Sequence, residues 1–154
     1  MSMDTSIIYG YGFHSDCEDA KLWQFIKNHS DAFLKNRKEL DLYVKLESAE
    51  QSGSLPDMYH FFENYECDAS GVSGVGSVIA NIMSRETGIR FIACLADDTC
   101  DTSAAVLLPE HMPWLYTEKE KTLPESDLFH ICEQYAKELG ISEEPDYLRQ
   151  EYYS

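Results

Sequence analysis

The sequence predicts an α+β domain, a small and mostly antiparallel sheet of about four strands packed with about five helices in the order β-α-α-α-α-β-β-α-β. Three observations carry that expectation. The segment Thr5–Phe13 alternates strictly, several helix-patterned stretches follow before another strand, and two later apolar runs lie close enough to pair as a hairpin. Strands that do not alternate regularly with helices argue against a doubly wound parallel sheet. At 154 residues the chain reads as one domain, residues 1–154, long enough to fold on an apolar core alone.

In "TSIIYGYGF", Ile7, Tyr9, Tyr11 and Phe13 share one face, while Gly10 and Gly12 leave the other nearly bare for a close neighbour. Ser15-x-x-Glu18 has the form of a capping box and opens a first helix with a stripe of Leu22, Phe25, Ile26 and His29. Ser30-Asp31 signals a second, carrying Phe33, Leu34, Leu40, Tyr43, Val44 and Leu46. Residues 47–54 read as a polar loop. Ser54 and Pro56 then start a short third helix with Met58, Phe61, Phe62 and Tyr65 inward. The fourth helix spans about Val75 to Thr87, with Gly88 as its C-cap. "IRFIACL" and "AAVLLP" read as the hairpin strands, joined by the acidic loop "ADDTCDTS". A last helix from about Pro124 to Leu139 stops at Gly140, and "DYLRQEYYS" alternates as a short edge strand.

Charge is the unusual bulk property. Twenty-eight Asp and Glu against 12 Lys and Arg give −16, divided as −3, −5 and −8 over residues 1–50, 51–100 and 101–154. Such a surface repels nucleic acid and anionic membrane, so direct binding to either is not expected, whereas basic protein surfaces are attracted. Solubility alone would also explain an acidic surface. No apolar run approaches the roughly 18 residues needed to cross a bilayer. Met1-Ser2-Met3-Asp4 opens with no basic segment and no apolar core, so the expectation is a cytoplasmic protein without a secretory signal. Five scattered cysteines without a Cys-x-x-Cys pair fit buried thiols in a reducing compartment better than zinc ligands.

Candidate chemistry is sparse. "ASGVSGVGSVI", residues 69–79, has Gly71 and Gly76 at the spacing of a phosphate-cradling loop. Ser77 stands where the lysine belongs and Val78 where the magnesium-binding hydroxyl belongs, so both ligand roles are empty. A connector whose glycines supply left-handed turns is the simpler reading. Asp97, Asp98 and Asp101 share a loop that could ligate a hard cation but lack the ligand order of an EF-hand, and a solvated acidic turn is the better account of them. His60-x-x-Glu63 and His130-x-x-Glu133 reverse the order used by di-metal bundles and read as ordinary polar pairs on a helix. No cofactor, no metal and no catalytic residue is predicted.

The C-terminal third interleaves carboxylates with aromatic side chains. Glu143, Glu144, Asp146 and Glu151, with Trp114, Tyr116, Tyr147, Tyr152 and Tyr153, form the predicted interaction surface. Spaced carboxylates on a rigid body can imitate a phosphate backbone, and tyrosine supplies contact area at low entropy cost. The functional expectation is a small, acidic, non-enzymatic protein that docks on a basic protein, a nucleic-acid-binding enzyme among the candidate partners, as an inhibitor mimicking nucleic acid. The alternative is a small hydrolase or transferase with a pocket assembled from His14, Asp97 and His111. A structural homo-oligomer is the third possibility.

Overall fold

The computed structural model describes residues 5–69, 72–95, 104–109, 125–142 and 144–153. In chain order the elements are β1 (Thr5–His14), α1 (Asp19–Asn28), α2 (Ser30–Phe33), α3 (Arg37–Gln51), α4 (Met58–Phe61), α5 (Val75–Thr87), β2 (Ile92–Leu95), β3 (Ala104–Pro109), α6 (Glu125–Glu138) and β4 (Asp146–Tyr153). The molecule is mostly helical, with six helices among the described residues, and this corrects the expected α+β class and its five-helix order.

Two local causes explain the correction. The segment read as one helix after Ser30 is two, because Leu34 leaves helical geometry (φ −85°, ψ 76°) and Asn36 is extended (φ −146°, ψ 174°). Asn36 then caps α3, its side chain accepting the Glu39 N–H at 2.9 Å. Replacing Asn36 with alanine is expected to cost about 1 kcal/mol of stability in urea unfolding; an unchanged midpoint would show that this cap contributes nothing. The second cause lies before β2, where "IRFIACL" shrinks to Ile92–Leu95. The Ile89 N–H is taken by Thr87 Oγ1 at 3.1 Å, and the Ser84 hydroxyl holds both the N–H and the C=O of Phe91. Backbone groups spent on the end of α5 cannot join a strand ladder.

Helices supply most of the core. Leu22, Trp23, Phe25 and Ile26 come from α1, Leu46 from α3, and Val78, Ile79, Ile82 and Met83 from α5. Phe33 stacks on Tyr65 at a 5.9 Å centroid distance and meets Phe62 edge-on at 6.4 Å. The strands follow the order β2-β3-β1-β4. β1 pairs antiparallel with β3 from Gly10↔Pro109 to His14↔Ala105, and with β4 from Thr5↔Tyr153 to Gly12↔Asp146. α5 packs against β2 and β3, and α6 against β1. Among the described residues no helix is long and apolar enough to cross a membrane.

The glycine-rich stretch enters α5 through a tight reversal. Cys67 N–H donates to Val72 O at 2.8 Å and Gly74 N–H to Tyr65 O at 2.9 Å. Gly74, the N-cap residue, sits at φ 132°, a conformation L side chains rarely adopt. The buried Ser77 hydroxyl turns back on Val72 O. The side chain at the lysine position of a phosphate loop is therefore used to close this turn.

Candidate functional site

Glu39 is a carboxylate at the third position of a helix, and it is 1% exposed. Burying such a group is costly unless every lone pair is met. The structure meets them from three directions. Lys35 N–H donates to Oε1 at 3.0 Å, closing the local cap, while Oε2 accepts the Tyr65 hydroxyl at 2.5 Å and Arg85 Nη1 at 2.7 Å. Arg85 reaches in from the last turn of α5. Its Nη1 also donates to Ala32 O and Phe33 O at 3.1 and 3.2 Å at the end of α2, where Phe33 O also accepts the Lys35 N–H at 3.0 Å. Its Nη2 holds Asp68 at 3.1 Å. Burial alone would lower the guanidinium's proton affinity, but the Glu39 hydrogen bond and the surrounding charges raise it overall.

Asn81 completes the network. Its amide donates to Tyr65 Oη and to Glu66 O, both at 3.1 Å, and its carbonyl accepts the Asp68 N–H at 2.9 Å. Burial, reinforced by Glu39 and opposed by the Asn81 hydrogen bond, pushes the Tyr65 hydroxyl above its usual range. The network opens on a hollow of about 350 Å³ lined by Asp68, Asn81, Ser84, Arg85, Arg90 and Phe91, among others. Asn81 and Ser84 already spend their polar atoms on the fold, and the Arg85 fork is engaged by two carboxylates. The arrangement locks α2, α3 and α5 together, and Asp68, paired with Arg85 through one oxygen, is the exposed carboxylate among the described lining residues.

A second polar cluster centres on His29, just after α1. Nδ1 lies 2.6 Å from Glu86 Oε2 and Nε2 2.8 Å from Glu138 Oε2. Tyr135 donates its hydroxyl to Glu86 at 2.7 Å, Asn28 donates to Glu138 at 3.2 Å, and the Phe25 ring lies 4.6 Å from the imidazole. Two acceptors on one ring require both nitrogens to carry protons. Burial opposes that charge, but the hydrogen bonds that the ring donates to Glu138 and Glu86 outweigh it, and the His29 pKa is raised.

The residues singled out in sequence are distributed differently. Asp146, Tyr147, Glu151, Tyr152 and Tyr153 share β4, and the exposed Glu144 stands two residues before it. Glu143, Trp114 and Tyr116 lie outside the described residues, as do Asp97, Asp98, Asp101 and His111. His14 ends β1, away from the hollow's lining. His60 meets Glu63, in the turn after α4, at 3.4 Å, and His130 meets Glu133 one turn along α6 at 4.0 Å, with both histidines exposed. Burial, with Asp16 and Asp19 adding to it, pushes the Cys17 thiol up to about 12, and burial does the same to Cys132. Among the described residues no group of three or more His, Cys, Asp or Glu is placed to hold a metal.

Ser15 does not cap α1. Glu18 occupies the N-cap position without a side-chain bond, and the Tyr59 hydroxyl donates to Ser15 O at 3.4 Å. The sequence pattern places Tyr65 inward as part of an apolar stripe, but it does not mark Glu39, Asn81 or Arg85 as its partners. Two signals were present, an Asn36-x-x-Glu39 cap spacing and a lone asparagine inside the apolar run of α5. No family model matches the chain, and neither a curated protein nor a solved structure is found to be similar to it.

Proposed function

We propose that this is a cytosolic docking protein, not an enzyme, whose acidic surface binds a basic protein and competes for a nucleic-acid-binding groove on it. The reading is supported above all by the way the acidic C-terminal segment is held. Pro145 is buried and β4 pairs residue by residue with β1, from Asp146 opposite Gly12 to Tyr153 opposite Thr5. Residues Asp146 and Glu151 thus hold fixed backbone positions on β4, and the exposed Glu144 stands two residues before the strand. Fixed charge costs less entropy on docking than charge on a loose tail. The net charge of −16 would speed encounter with a cationic partner. Free thiols at Cys17, Cys67 and Cys132 fit a reducing compartment.

The test is a captured partner and its kinetics. The triple substitution Glu143→Gln, Glu144→Gln and Asp146→Asn is expected to slow association about tenfold and flatten its salt dependence, leaving dissociation little changed. The captured partner should also release bound duplex DNA or RNA as the protein is titrated in. Association indifferent to salt and to all three substitutions would end this reading.

A further inference from the structure

α3 carries an exposed face that matches itself. Leu40 and Val44, one helical turn apart, are 48% and 49% exposed and are the large exposed hydrophobics among the described residues. Arg37 precedes Leu40 by three residues and Glu47 follows Val44 by three, and both are exposed. The spacing 37-40-44-47 alternates three and four, the seam of a helix that packs along another helix. From the geometry we infer that two copies of this chain pair through antiparallel α3 helices.

A two-fold axis passing level with Leu42 sets Leu40 of one copy at the height of Val44 of the partner subunit. The same register brings Arg37 to the height of Glu47 of the partner subunit, on both ends of the contact. The contact is complementary only in this sense. The first turn of α3 holds Arg37 and Lys38 and its second half holds Glu47 and Glu50, so a parallel arrangement would set like charge against like. Beside the N-terminus of α3, Leu34, Lys35, Asn36, Arg37, Leu40 and Asp41 border a hollow of about 350 Å³, and Lys35 and Arg37 give it two cations to meet the acidic end of the partner's helix. The apolar contact is small beside the roughly 1,600 Å² of a standard interface, so the pairing is weak and reversible.

Sedimentation equilibrium of the full chain, at about 0.15 M salt to screen the net repulsion and up to about 1 mM protein, tests it. Wild type dimerises. Arg37→Glu and Glu47→Arg each weaken dimerisation about tenfold, while circular dichroism confirms that both fold. An equimolar mixture of the two variants regains wild-type affinity, because each heterodimer restores both opposite-charge contacts. A wild type that stays monomeric throughout, a dimer untouched by Arg37→Glu, or a mixture that fails to recover would each overturn the proposal.

Discussion

Arg85→Ala is expected to lower folding stability by about 3–5 kcal/mol, read as a large fall in the urea midpoint with little change in slope. Glu39 stays behind with 1% of its surface exposed and loses its only charged partner among the bonds described. Ala32 O loses the Arg85 donor in the same step, while Phe33 O keeps the Lys35 N–H. The magnitude comes from stranding a buried carboxylate, which is much worse than never having had the pair. A double-mutant cycle separates the two effects. Glu39→Leu combined with Arg85→Leu should recover the part of the loss that comes from the stranded carboxylate, while the Tyr65 hydroxyl, Lys35 N–H and Ala32 O, without these partners, leave a residual cost. A loss under about 1 kcal/mol for Arg85→Ala would mean that the pair behaves as a surface contact.

His29→Gln should cost about 2 kcal/mol at about pH 6 and much less under alkaline conditions, after discounting the partial solvent contact of the cluster. The sign follows from the raised pKa of the folded state. Protonated His29 is favoured by folding, so its stabilisation is complete below the unfolded value of about 6.5. It disappears as pH rises through the higher folded value. The groups facing the ring are Glu86 of α5 and Glu138 of α6, with Tyr135 bonded to Glu86 and Asn28 to Glu138. Thermal unfolding of wild type and variant across pH gives the difference curve, and NMR titration of the His29 ring locates its step. A difference that does not vary with pH would remove the charged clamp from this account.

Short-range chemistry explains what could be read in advance. Val75, Val78, Ile79, Ile82 and Met83 marked α5 because a repeat near four residues puts them on one face, and Gly88 marked its end through a left-handed C-cap at φ 74°. The break at Leu34–Asn36 is invisible in the sequence because the pattern of Phe33, Leu34 and Leu40 continues across it. Hydrophobic spacing records which faces are buried and is blind to a change of helix axis. The His29 cluster was hidden for another reason. His29, Glu86 and Glu138 are far apart along the chain, and no local pattern distinguishes a histidine clamped by remote carboxylates from one packed in an apolar stripe.

Composition, charge and local periodicity by themselves determined an acidic chain with an apolar core, the α5 and α6 segments, and a glycine stretch unsuited to phosphate. Tertiary structure alone decided that helices dominate, that Arg85 neutralises Glu39 and that Asp146–Tyr153 is held against β1. Patterns along a chain encode preferences of neighbouring residues. A buried charge becomes tolerable only when folding delivers its partner from another element.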